Sequence, residues 1–322
     1  MTNILVTIPV SDEQLKAFKS ACPDGVFTVI PKEKLDARAV ADKEIIIGNI
    51  PLALVPECKK LRLLELNMAG TDGYPELMPE GAVLVNSSGA YGLAISEHML
   101  GMLLAIKKKL YLYYDNQKEA VWRDEGTVTG IEDAVVLSLG MGDIGGEFTR
   151  KCKALGAYTI GVRRTVREKP DYADEMHTLD DIDQLLPRAD VVALSLPSGD
   201  ATRGLMDERR LRMMKKGAVL INVGRGSAIK TDDLVRVLND GHIYAALDVV
   251  DPEPLPADHP LWKARNVFIT PHISGFFHLK QTLERIVAIA EENLKRFSQG
   301  EPLLNVVDSE TGYRGCGNRA SY

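Results

Sequence analysis

Val135-Val-Leu-Ser-Leu139-Gly140-Met-Gly142-Asp-Ile-Gly145 passes from an apolar run, through three glycines, into a helical pattern. The apolar run predicts a buried strand, and the residues after it predict a helix over Ile144–Leu155. Gly140, Gly142 and Gly145 allow a tight turn, close approach of backbone to a pyrophosphate, and close helix–strand packing. The N–H groups at the helix start, from Asp143, Ile144 and Gly145, then face an anion together with the positive end of the helix dipole. In the order strand, turn, helix, the three glycines form a phosphate cradle and mark a nucleotide site.

The same alternation runs outward in both directions. Towards the C-terminus, apolar runs fall at Tyr158–Val162, Val191–Leu196, Ala218–Val223, Ala245–Val249 and Val267–Thr270. Towards the N-terminus they fall at Ala134–Leu139, Ala82–Val85, Leu61–Leu66, Glu44–Ile47, Val26–Ile30 and Ile4–Ile8. Helical patterns such as Glu13–Ser20 separate them. Apolar runs without polar alternation predict strands covered on both faces, hence parallel sheets. The fold class is therefore α/β, with two units in series. A helix is predicted over Leu93–Lys118, with Ile95, Met99, Met102, Ile106, Leu110 and Tyr113 in one stripe. That stripe suits either burial in its own chain or a partner subunit, and Lys107–Lys109 is read as a solvated face. A second stripe (Leu283, Ile286, Val287, Ile289, Ala290 and Leu294) predicts a closing helix before Gly300. The polar, glycine-rich tail after Tyr313 is expected to be loosely held.

A chain of 322 residues, 45% hydrophobic, can bury two cores. Its net charge of -6 argues against nucleic acid, whose binding rests on Lys and Arg neutralising phosphates. The longest apolar stretch, Met99–Ile106, is far shorter than the roughly 20 residues that span a bilayer. Neither a membrane segment nor a signal peptide is expected, and the cytoplasm is the expected location. Cys22, Cys58, Cys152 and Cys316 are scattered, which predicts reduced thiols and no metal site.

Past the glycines, the next strand ends in Arg163-Arg164-Thr165, where a site for NAD usually carries an acid that accepts from the ribose 2′-OH. Two guanidinium groups suit a 2′-phosphate instead, so NADP(H) is expected over NAD(H). Three further segments end apolar strands: Asn222-Val-Gly-Arg225-Gly, Asp248-Val-Val-Asp-Pro-Glu253-Pro and Thr270-Pro-His272-Ile-Ser-Gly275. They deliver an arginine, a glutamate and a histidine. That set can hold a carboxylate and give a proton. His98, preceded by Glu97, lies inside the long stripe and is read as structural; His242 is read as a turn residue.

Taken in this order and spacing, these motifs resemble the D-isomer-specific 2-hydroxyacid dehydrogenase family. The resemblance covers nearly the whole chain. It implies two flavodoxin- and Rossmann-like domains with parallel sheets, the substrate domain being discontinuous. Residues 1–93 and 280–322 would form the substrate-binding domain, with the NAD(P)-binding domain at 94–279 inserted between them. By resemblance, Arg225 binds the substrate carboxylate and polarises the keto group, and His272 donates the proton as hydride arrives. Glu253 hydrogen-bonds the imidazole, orients it and favours the form that carries the proton. Glu253 also sets the chain apart from formate dehydrogenases, which pair their histidine with glutamine. Backbone N–H groups near Met68, Ala69 and Gly70 hold the other end of the carboxylate. Leu196, Pro197 and Thr202 lie along the adenine half of the cofactor, and Val223, Gly224, Asp248 and Ser274 lie near the nicotinamide. The Arg163 position departs from the NAD-using members. A homodimer is implied, formed around the region after the first crossover helix, with no metal.

The expected activity is hydride transfer between NAD(P)H and a small 2-keto acid, glyoxylate or hydroxypyruvate first. The alternatives are a phosphoglycerate dehydrogenase-like activity and a non-catalytic, nucleotide-sensing binding protein on the same fold. The keto acid's side-chain pocket is expected near Tyr74, Tyr91 and Phe276-Phe277.

Overall fold

The structure is a computed structural model that describes residues 1–165 and 168–308. Cys316 and the glycine-rich tail lie outside the described residues. The described chain divides into two compact units, one of residues 1–91 with residues 277–308, the other of residues 92–276.

The first unit is built on five parallel strands: β1 (Thr2–Val6), β2 (Gly25–Val29), β3 (Ile45–Ile47), β4 (Leu63–Glu65) and β5 (Val83–Val85). Their order across the sheet is β2-β1-β3-β4-β5. Ile45-Ile-Ile and Leu63-Leu-Glu are buried along their whole length, as strands covered on both faces must be. The Asp12–Ala21 helix opens on a capping box in which Ser11 and Gln14 satisfy each other's backbone N–H groups. The Lys280–Gln299 helix buries Ile286, Val287, Ile289, Ala290 and Leu294 and stops at Gly300, whose φ of +70° is the left-handed cap. The chain then returns to β5, where Val307 N–H donates to Leu84 O and Asn305 Nδ2 donates to Asn86 O and Ser88 O.

One buried acid stands out in this unit. Glu65 closes β4 with Oε2 accepting from Asn293 Nδ2 at 2.7 Å, while Oε1 has no partner. Burial pushes its carboxyl up to about 8, partly offset by the Asn293 bond. From its ordinary value of 4.5 up to about 8, the folded chain therefore holds one more proton than the unfolded chain. Stability contributed by the neutral acid is complete below that window and is lost through it at about 1.4 kcal/mol per pH unit. Glu65→Gln keeps the shape and cannot ionise. Urea unfolding from pH 5.5 to 8 should show the wild type losing stability relative to Glu65→Gln by about that slope. The added N–H costs a constant offset, so parallel stability lines would contradict the assignment.

The second unit holds seven parallel strands: β6 (Val135–Leu139), β7 (Tyr158–Val162), β8 (Glu175–His177), β9 (Val191–Leu194), β10 (Val219–Asn222), β11 (Tyr244–Leu247) and β12 (Val267–Ile269). Their order is β12-β11-β10-β9-β6-β7-β8. The chain starts in the middle at β6, runs outward to β8, then returns to β9 and runs the other way. That reversal beside β6 is a doubly wound switch point, above which ligands bind. Leu137, Leu139, Ile160, Val192, Leu194, Leu220, Ala245 and Leu247 form the core between sheet and helices.

Three expectations need correction. β8 was not foreseen. The predicted Leu93–Lys118 helix is two helices, Gly92–Lys107 and Leu110–Lys118, broken at Lys109, whose φ is +55°. Lys107–Lys109 is not a solvated face, because Lys107 is buried with its Nζ 3.4 Å from Thr129 Oγ1. Burial also lowers the pKa of Lys107, opposed by Asp190. In the stripe, Ile95, Met99, Met102 and Ile106 are buried, whereas Leu110 and Tyr113 are exposed. Among the described residues, no helix is long and apolar enough to cross a membrane.

Candidate active site

The glycine turn follows β6 as the sequence requires. A Cβ on Gly145 would lie 1.8 Å from Gly140 O, and one on Gly140 would lie 2.8 Å from Ser195 O. Neither position tolerates a side chain. Gly142 differs, since a Cβ there would meet open space. It is the N-cap of the Asp143–Ala154 helix and has no side chain with which to cap it. The first-turn N–H groups of Ile144 and Gly145 are thus left to an outside acceptor, and the cradle fits a dinucleotide pyrophosphate. Asp143 begins the same helix, and its Oδ2 accepts from Gly92 N–H at 2.7 Å.

The two arginines after β7 do different things. Arg163 donates Nε and Nη2 to Met141 O at 3.0 and 2.7 Å, bracing the glycine turn. Arg164 and Thr165 are exposed. Thr202, expected beside the adenine half, donates its hydroxyl to Pro197 O at 2.7 Å and so closes its own turn. Leu196 is buried below that turn. Its backbone passes so near Gly224 that a Cβ there would lie 2.4 Å from Leu196 O.

β10, β11 and β12 are neighbours, so the segments after them emerge side by side. After β10, buried Asn222 clasps the turn: its Oδ1 accepts from Gly224 N–H at 3.1 Å and its Nδ2 donates to Arg225 O at 2.9 Å. Gly226 locks the other side, because a Cβ there would lie 1.9 Å from Val250 O. Between these constraints Arg225 is half-buried, and its Nη1 donates to Gly224 O at 2.8 Å.

After β11 and β12 the expected pair forms. His272 Nδ1 lies 2.8 Å from Glu253 Oε2, and Glu253 Oε1 accepts from Val250 N–H at 2.9 Å. The His272 side chain is 54% exposed, so a small molecule can reach the ring. His272 has a φ of +53°, rare for a residue with a side chain. Its N–H donates to Asp248 O at 2.8 Å and to Thr270 O at 3.0 Å. The Asp248 carboxylate is fully buried and gathers the loop, accepting from Thr270 Oγ1 at 2.6 Å, Ile273 N–H at 3.0 Å and Ser274 N–H at 3.1 Å, besides Ser274 Oγ. Burial raises its pKa, but these donors outweigh burial and the carboxyl titrates below its ordinary value.

In the first unit, the turn after β4 is pinned from several sides. Asn49 and Asn67 exchange backbone-to-side-chain bonds at 2.6 and 3.1 Å, Ser87 N–H donates to Met68 O, and Asn86 Nδ2 donates to Ala69 O. The N–H groups of Met68, Ala69 and Gly70 donate to nothing among the described residues. Tyr74 and Tyr91, expected near the keto acid's side chain, are buried struts whose hydroxyls donate to Ile50 O and Asn67 O. Asn67, Asn86 and Ser87, whose partners are distant in sequence, and the local clasp of Asn222 were not foreseen.

Among the described residues, no cluster of three or more His, Cys, Asp or Glu is placed to hold a metal. Cys22, Cys58 and Cys152 are free and buried, and burial pushes the Cys58 thiol up to about 11 and Cys152 to about 12. Neither of those two is a ready nucleophile.

Comparison with known proteins places the chain in a family. The family model described as D-isomer specific 2-hydroxyacid dehydrogenase, NAD binding domain, matches residues 100–274. An uncharacterized protein from Corynebacterium melassecola is 35% identical over 85% of this chain and 91% of its own length. A D-isomer specific 2-hydroxyacid dehydrogenase family protein from Aeromonas salmonicida superposes with a TM-score of 0.84 at 30% identity, covering 96% of this chain and 99% of that one. An NADPH-dependent glyoxylate/hydroxypyruvate reductase from Sinorhizobium meliloti, in complex with NADP and sulfate, superposes with a TM-score of 0.81 at 25% identity, covering 97% and 100%. The chain belongs to the D-isomer specific 2-hydroxyacid dehydrogenase family and is an NAD(P)-dependent oxidoreductase.

Proposed function

We propose that the protein reduces a small 2-keto acid, glyoxylate or hydroxypyruvate, with NADPH as the preferred reductant. The observation that carries this reading is the 2.8 Å bond between His272 Nδ1 and Glu253 Oε2, beside the turn that presents Arg225. A carboxylate on Nδ1 keeps a hydrogen on that nitrogen, which leaves Nε2 to give or take the transferable proton. Arg225 supplies a planar, permanently charged fork, matched to the carboxylate of a keto acid. In the first unit, the N–H groups of Met68, Ala69 and Gly70 offer a second anion-holding element. When bound, the reduced nicotinamide supplies the hydride to the keto carbon. His272 then protonates the resulting alkoxide oxygen, and Arg225 offsets the charge that develops there.

For the cofactor, Arg164 and Thr165 take the 2′-phosphate while Arg163 braces the glycine turn beneath it. The NADPH-dependent relative from Sinorhizobium meliloti supports that choice. Two charge-assisted bonds to one phosphate are worth about 1.5–3 kcal/mol each. The wild type should therefore show kcat/KM for NADPH at least about ten-fold above that for NADH, and Arg164→Ser should erase most of the difference. The assay is a panel of glyoxylate, hydroxypyruvate and its 3-phosphate, run with each reduced cofactor. A preference for NADH would sink the phosphate assignment.

The working form is a homodimer. Beyond the Leu110–Lys118 helix the chain exposes Val121, Trp122 and Val128, with Leu110 and Tyr114 nearby in sequence. So many large apolar side chains left in water suit a second copy of the chain. Trp122→Asp should shift the sedimentation coefficient from dimer to monomer; an unchanged dimer would place the interface elsewhere.

A further inference from the structure

The segment carrying His272 is held by a hydrogen-bond chain that begins on another element. Thr270 Oγ1 lies 2.6 Å from Asp248 Oδ1 and 3.0 Å from His98 Nε2, on the Gly92–Lys107 helix. A hydroxyl has one hydrogen. The ionised Asp248 can only accept, so the Thr270 hydrogen points to it, and His98 Nε2–H must be the donor to Thr270. His98 Nε2 is also 3.7 Å from Asp248 Oδ1. The order is thus His98 to Thr270 to Asp248, and Asp248 in turn holds the N–H groups of Ile273 and Ser274.

This chain matters because of what it supports. His272 sits at a φ of +53°, a conformation that persists in a non-glycine residue only where its surroundings over-determine it. Its own N–H and those of the next two residues all end on Asp248. Two side chains of the Gly92–Lys107 helix reach this network among the described residues. One is Met102, whose Sδ is 3.9 Å from Thr270 Oγ1; the other is His98. Only His98 can donate.

We propose that His98 is a positioning residue of the reductase site: through Thr270 and Asp248 it fixes the segment that presents His272. The proposal rests on the reading of His272 as proton donor, and its test is chosen to separate the two. His98→Leu removes the donor, and His98→Gln returns an amide N–H near the place of Nε2. In cofactor-free protein, His98→Leu should speed deuterium exchange at the Ile273 and Ser274 amides by about ten-fold, the loss of about one net hydrogen bond. Amides within the Gly92–Lys107 helix should keep wild-type rates, and His98→Gln should restore the two loop amides. Thr270→Val cuts the same chain in its middle, so it should match His98→Leu, and the double variant should add nothing further.

With glyoxylate and NADPH, His98→Leu should lower kcat by about ten-fold at unchanged KM for NADPH, and His98→Gln should recover it. Wild-type exchange at Ile273 and Ser274 in His98→Leu would overturn the proposal, as would failure of His98→Gln to restore it or additive effects in the double variant. If the wild type reduces no keto acid, the functional reading fails, while the exchange rates still decide the role of His98.

Discussion

His272→Asn is expected to lower kcat for a 2-keto acid by about 10²–10⁴-fold, the usual worth of a placed general acid. Asparagine is the informative replacement because His272 holds a φ of +53°. Among residues with side chains, Asn is one of those that enter the left-handed region most readily, so the turn is kept while the acid is lost. The N–H at this position goes on bonding to Asp248 O and Thr270 O, as in the wild type. Binding of NADPH, followed by fluorescence, and the melting temperature should stay near wild type. A variant that retains half its turnover would place the proton donor elsewhere. A variant that loses cofactor affinity in step with turnover would make the histidine part of the scaffold.

Arg225→Lys is expected to cost about 10²-fold or more in kcat/KM, although the charge is retained. A lysine brings one point charge, whereas the guanidinium brings two parallel N–H groups in a fixed plane. Losing one charge-assisted bond, worth about 1.5–3 kcal/mol, and the geometry that goes with it accounts for a drop of that size. Besides the bond from Arg225 Nη1 to Gly224 O, the surrounding turn is held by Asn222, which clasps its backbone, and by Gly226, which abuts Val250. Both KM for the keto acid and kcat should suffer, since a carboxylate and a developing alkoxide are held by the same fork. Cofactor affinity should not change. Equal loss of affinity for keto acid and NADPH would make Arg225 a structural residue of the β10 turn.

Much of this was legible because the strongest signals are steric. Gly140 and Gly145 admit no side chain, and long apolar runs such as Val191–Leu194 have no place except a sheet covered on both faces. The turn after each of β10, β11 and β12 carried its reactive residue in the local sequence. What escaped depends on distant partners. β8 reads Glu-Met-His, without an apolar pattern. It exists because its backbone pairs with β7 at the sheet edge, while Glu175 bonds Arg188, His177 and Tyr158. The break at Lys109 falls in a run of good helix formers. The 125–129 segment folds back on that stretch, giving Glu125 O to Lys109 Nζ and Thr129 N–H to Lys107 O. Arg163 was expected at a 2′-phosphate, but its side chain bonds Met141 O, a partner that could not be read, since any residue there offers the same carbonyl. His98, preceded by Glu97, was read as structural from its place in the long helix, and only the fold brings Thr270 and Asp248 to its ring.

Fluorescence titration of the wild type with NADPH, followed by glyoxylate and hydroxypyruvate while the nicotinamide absorbance band is watched, tests the whole assignment at once. Tight nucleotide binding and then steady loss of the band, abolished in His272→Asn, is the expected result. Tight binding with no loss of the band for any 2-keto acid would mean that Arg225, Glu253 and His272 are not a working reductase centre.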